Sequence, residues 1–204
     1  AEERQGMMAY HHAMYKDRKR VQSKHPLVPP EPTSIDIMDD KVGEDVYFKG
    51  SWILHTLRYL IGKQDLETVL RRFAYPDVKL ESIADGQAIR FANTEDFIAT
   101  VNGVAGREFD WLFDVYLFNA PLPRLVDRLE GGQWVLEWDV PEGCHFPMPL
   151  EIQRNGETTR HAMVDGRLVL DARSSEGAVL DPNRWILMEE RSALLGNPYD
   201  ESFK

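Results

Sequence analysis

The stretch DVYFKGSWILHTLRYLIG, residues 45–62, decides how the chain is read. Ile53, Leu54, Leu57, Leu60 and Ile61 recur at helical spacing, which predicts a helix with one apolar stripe. Gly62 and Lys63 are expected to end it. At its head stand Tyr47, Lys49 and Gly50, with no nucleophile motif and no metal motif beside them. Tyr47 is the candidate catalytic residue, because a phenolic O–H can donate a hydrogen bond to a developing oxyanion. A tyrosine packed at a helix end is the competing reading, and the residue type alone favours it.

The same periodicity extends on both sides, so residues 1–121 are expected to form an antiparallel array of helices. AEERQGMMAYHHAMYKDRKRVQ is rich in helix formers and stops before the proline-rich KHPLVPPEPTS, an extended connector. KDRKR at 16–20 is expected to be a solvated helix face. Asp65 is a candidate N-cap for LETVLRRFAY, where Leu66, Val69, Leu70 and Phe73 make a second stripe. Asn93 or Thr94 can cap the next helix, with Glu95 and Asp96 in its first turn and Gly106 after its end. REFDWLFDVYLF is expected to be the last helix.

From Pro123 the period becomes two. In GQWVLEWDV, Trp134, Leu136 and Trp138 share one face, opposite Val135, Glu137 and Asp139. Asn155-Gly156 between PLEIQ and TTRHAMV predicts a tight hairpin, and Asp165-Gly166 a second turn before RLVLDA. GAVLDPNRWILMEE is expected to give one or two more strands around Asp181-Pro182. The fold class is therefore α+β: a helical part over 1–121, a small β-sandwich over 122–192, and a tail at 193–204.

Charge and composition exclude several functions. A net charge of −10 disfavours nucleic acid or an anionic membrane as the main partner. No apolar run is long enough for a membrane helix. Cys144 is the one cysteine, which excludes an internal disulfide framework and leaves both cytoplasm and periplasm open for a soluble chain. None of the six histidines belongs to a His-Glu-x-x-His motif, and His11 and His12, being adjacent, diverge on a helix. His55 is expected to pack. Phosphate-loop, dinucleotide-binding and Gly-x-Ser-x-Gly motifs are missing from the sequence. The start AEERQGMM reads as a position inside a longer polypeptide.

Taken in order, Tyr47-Phe48-Lys49-Gly50, Asn93 to Phe97, Ala105-Gly106 and YLFNAPLPRL at 116–125 resemble one family. They are similar to the C-terminal half of the catalytic domain in the aminopeptidase N-like (gluzincin) zinc metallopeptidases. There a Tyr-x-Lys-Gly signature opens a helix, and a Thr/Asn-x-x-Asp-Phe segment, a Ser/Ala-Gly turn and a helix before Gly-x-Pro follow. WVLEWDVPEG, FPMPLEIQ and VLDPNRWIL resemble the strands of that family's β-sandwich. Two departures stand out: Tyr116 where many relatives have Trp, and Pro121-Leu122-Pro123 in place of Gly-x-Pro.

The resemblance implies a zinc-dependent aminopeptidase that removes N-terminal residues from peptides. Zinc on His-Glu-x-x-His and a downstream Glu would activate water, the motif Glu would act as base, and Tyr47 would stabilise the oxyanion. Lys49 and Gly50 match the motif without an assigned chemical role; as residues, Gly50 is expected to allow close helix packing and Lys49 to be solvated. The zinc ligands and catalytic Glu would lie upstream of Ala1, so this segment alone is expected to bind no catalytic metal and to be inactive. Its peptide substrate would be met through the parent enzyme, and exposed apolar helix faces would favour self-association. A non-catalytic scaffold of the same fold is the alternative, and a β-sandwich that binds carbohydrate or protein ranks third.

Overall fold

The structure is a computed structural model that describes residues 2–30, 44–83 and 89–190. The expected tail at 193–204 and the later part of the proline-rich connector lie outside the described residues.

The helices are α1 (Glu2–Arg18), α2 (Asp45–Ile61), α3 (Lys63–Ala74), α4 (Thr94–Ala105) and α5 (Asp110–Tyr116). A short 3-10 helix, Val78–Ser82, follows α3. Helix α4 begins as its sequence predicts. The Asn93 side chain accepts from the Asp96 N–H while the Asp96 carboxylate accepts from the Asn93 N–H, a reciprocal capping box. Its C-terminus closes on Gly106 in the left-handed conformation.

Two expectations for the helices are corrected. Asp65 does not cap α3, because Gly62 at φ 87° turns the chain within one residue and α3 starts at Lys63. Asp65 instead sits in the first turn, where its charge suits the helix dipole. Helix α2 does not carry a single apolar stripe. Trp52, Ile53, His55, Thr56, Leu57, Arg58, Tyr59 and Leu60 are all buried, so it is a central helix packed on nearly every side.

The remaining chain forms two three-stranded antiparallel sheets. One has the order β1 (Arg124–Glu130), β2 (Gln133–Asp139), β5 (Arg167–Asp171). The other has the order β4 (Glu157–His161), β3 (Leu150–Arg154), β6 (Val179–Leu180). Asn155 (φ 50°) and Gly156 (φ 82°) turn the β3–β4 hairpin, as the sequence predicts, because both central positions need positive φ. On β2, Trp134, Leu136 and Trp138 are buried as expected, but so is Val135, which faces its partner Val169 on β5. The α+β class is thus observed.

The expectation of strands on both sides of Asp181-Pro182 is met on one side only. After β6 the chain runs irregularly to Glu190, yet Ile186, Leu187 and Met188 are buried. Side chains replace a strand partner here. Thr56 Oγ1 donates to the Trp185 carbonyl and accepts from the Leu187 N–H, each at 3.0 Å. The Tyr116 hydroxyl donates to the Leu187 carbonyl at 2.6 Å, and Arg18 donates to that of Met188 at 2.7 Å. One contiguous core therefore runs from Leu57 and Phe113 through Leu187 to Trp138 and Leu150.

Candidate functional site

Tyr47 lies in the first turn of α2, its N–H bonded to the Glu44 carbonyl at 3.0 Å. Its side chain is 59% exposed, so the hydroxyl can meet a ligand while the backbone is held by the helix. Residues three and seven positions further share its face of the helix. Those residues, Gly50 and Leu54, enter an apolar groove of about 390 Å³ completed by Ile53, Phe73, Phe97 and Leu117. Gly50 does not serve close helix packing: a Cβ there would meet nothing within 4 Å.

Lys49 is a second correction. It is fully buried rather than solvated, and its Nζ donates to the carbonyls of Asn119 (3.0 Å) and Ala120 (3.4 Å), just beyond α5. Asp45, one turn earlier, accepts from the N–H groups of Gln22 (2.8 Å) and Ser23 (2.6 Å). The Ser23 hydroxyl completes the knot by donating to the Ala120 carbonyl at 2.5 Å. The first turn of α2 is therefore pinned from two sides, and Tyr47 with it. An Asp and a Lys at i and i+4 at the head of a largely buried helix are the sequence signal for this arrangement.

The basic run at 16–20 is also more than a solvated face. Arg18 reaches Met188, while Arg20 pairs with Glu44 and stacks 3.8 Å over the Phe48 ring. Arg20 thus braces the N-terminal end of α2, and Arg18 ties α1 to the segment after β6.

Burial lowers the Lys49 pKa to about 8, partly opposed by Asp45. The folded chain thus releases this proton before the unfolded chain, whose lysine holds it up to 10.5. Unfolding takes up a proton within that window, so stability is expected to rise as pH goes from about 8 to 10.5. Urea denaturation across this range checks it, and Lys49→Met is expected to flatten the rise.

His55 packs, as expected, stacked on Trp185 with ring centroids 4.7 Å apart. Its Nε2 faces the Arg184 carbonyl at 2.9 Å and must carry the hydrogen, leaving Nδ1 to accept from the Tyr10 hydroxyl at 2.7 Å. Burial depresses its pKa to about 3. In nitrogen-15 spectra the His55 ring is expected to stay neutral, as the Nε2–H tautomer, throughout pH 5–8. A ring that titrates near pH 6 would contradict this environment.

Among the described residues, no three His, Cys, Asp or Glu side chains converge as a metal-ligand set. Cys144 and its neighbour His145 do not build a nucleophilic pair: the Cys144 Sγ accepts from the Asn119 amide at 3.5 Å, and its pKa is raised by burial.

No protein-family model matches the sequence, and no curated protein is significantly similar to it. The fold is similar to that in a crystal structure of Legionella pneumophila aminopeptidase A in complex with aspartic acid, with a TM-score of 0.54 and 15% sequence identity. The match covers 83% of this chain and 21% of that one, so this chain spans about a fifth of that protein's length. The likeness is one of fold: this chain folds as part of an aminopeptidase does.

Proposed function

We propose that this chain is the tyrosine-bearing part of a zinc-dependent aminopeptidase, and that Tyr47 stabilises the oxyanion during hydrolysis. In that reaction water adds to the carbonyl after a substrate's N-terminal residue, the carbonyl oxygen gains charge, and the C–N bond then breaks to release the shortened peptide as its amine. A neutral phenol aimed at that oxygen lowers the barrier because the hydrogen bond strengthens as charge develops.

One observation carries the reading. Tyr47 is exposed one helical turn before Gly50, which lines an apolar groove, on a helix turn fixed by the Asp45–Lys49 knot, in a fold similar to part of an aminopeptidase. The groove suits an apolar side chain of a peptide. Zinc, which the sequence resemblance implies, would be held by the rest of the parent protein.

The test uses the whole protein that contains this chain. Hydrolysis of an aminoacyl-arylamide is expected, lost with a chelator and restored by zinc. No hydrolysis from the folded, zinc-loaded protein would overturn the proposal and leave the chain a scaffold of the same fold.

A further inference from the structure

A second cavity, of about 700 Å³, opens at the other end of α2 between the helices and the sheets. It lies about 20 Å along the helix from Tyr47, given a rise of about 1.5 Å per residue. Its apolar walls are Phe109, Trp111, Pro147, Pro149 and Met163. Arg107 and Arg160 enter it from opposite parts of the fold, the loop after α4 and strand β4.

Both guanidinium groups are held in place. Arg107 donates to the Leu60 carbonyl (3.0 Å) and lies 4.7 Å over the Phe109 ring. Arg160 donates to the Tyr59 carbonyl (3.1 Å) and lies 4.1 Å over the Tyr59 ring. The two carbonyls are consecutive at the end of α2, so both cations are anchored to the same helix end. Capping the helix uses one N–H from each, and a guanidinium has five. Arg71, Arg72, Arg90, Arg124, Arg128 and Arg184 each pair with a described carboxylate, whereas Arg107 and Arg160 make no such pair among the described residues.

We infer that this cavity binds a carboxylate carried on an apolar peptide. Each guanidinium keeps N–H donors beyond its bond to the helix end, the cavity they line has room for two side chains, and planar guanidinium groups match a carboxylate's two oxygens. Glu108 lies on the same rim and Glu151 is the cross-strand neighbour of Arg160, yet neither carboxylate pairs with the two guanidinium groups. The carboxylate can be a peptide's C-terminus or an acidic side chain.

The test titrates the full chain with three probes: acetyl-Phe-Leu with a free carboxyl terminus, the same peptide as its amide, and acetyl-Phe-Glu-amide. The Trp111 indole N–H and the Ala162 and Val164 amides report by NMR. The free acid is expected to saturate these signals about tenfold or more tightly than its amide. Equal binding of the Glu peptide would place side-chain carboxylates in the same site; weaker binding would assign the terminus. Arg107→Met with Arg160→Met should abolish the difference between acid and amide. Should that variant not fold, Val164→Glu, an exposed change at the rim, is expected to weaken the acid severalfold and spare the amide. Equal affinity for acid and amide, no shift with either acid, or indifference to Val164→Glu would overturn the inference.

Discussion

Asp181→Ala is expected to lower the folding stability by about 3 kcal/mol or more, the largest effect of any single substitution considered. The Asp181 carboxylate is fully buried and accepts from the N–H groups of Trp185 and Ile186, each at 2.9 Å. Alanine leaves both donors buried and unpaired, at about 1–3 kcal/mol each. Asp181 also holds φ 43°, a left-handed conformation that Asp and Asn tolerate better than Ala. The segment it organises is the one that Thr56, Tyr116 and Arg18 clasp, so the damage reaches both parts of the core. Chemical denaturation measures the loss, and Asp181→Asn, which keeps one acceptor oxygen, should lose less.

The same residue makes a prediction about acid. Desolvation raises the Asp181 pKa from 3.8 to about 6, against the pull of the two N–H donors. A raised carboxylate contributes stability that is full below 3.8 and lost as pH rises through about 6. His55 acts in the opposite sense: depressed from 6.5 to about 3, it contributes stability that is full above 6.5 and lost as pH falls towards 3. Between about pH 4 and 6 the two oppose each other and flatten the profile. In Asp181→Asn only the His55 effect remains, so that variant should lose stability steadily on acidification.

Tyr47→Phe is expected to reduce kcat of the parent enzyme by about 100- to 1,000-fold, the usual consequence of removing one oxyanion donor. KM should change little, because the hydrogen bond strengthens only as charge develops on the carbonyl oxygen. Folding should be untouched: the side chain is mostly exposed, and phenylalanine keeps the ring. Steady-state kinetics on the full protein separate the two quantities. An equal loss in kcat and stability would mean that Tyr47 is structural.

Local chemistry was the legible part of this sequence. Asn93 with Asp96, and Asn155 with Gly156, specify a cap and a turn through contacts within a few residues, and both were readable. What misled the reading was tertiary. Arg-Trp-Ile-Leu-Met at 184–188 looks like a strand, but beyond the local bonds to Asp181 its backbone is held by Thr56, Tyr116 and Arg18, each more than 70 positions away, and no local pattern encodes those partners. Lys49 reads as a surface residue until carbonyls beyond α5 are brought to its amine. Tyr47 stands out by motif order, whereas the groove that Gly50 and Leu54 enter draws on Phe73, Phe97 and Leu117 from three further segments and is visible only in the fold.

The most direct test of the central claim is the affinity of the parent enzyme for a phosphinic dipeptide analogue, whose tetrahedral phosphorus bears an oxygen where the oxyanion would form. Wild type and Tyr47→Phe would be compared by inhibition of arylamide hydrolysis, alongside KM for the substrate. If Tyr47 is the oxyanion donor, the variant loses about 100-fold in affinity for the analogue while KM stays nearly constant. Equal affinity in both proteins would contradict the account and leave Tyr47 an exposed residue of the first helical turn with no part in the reaction.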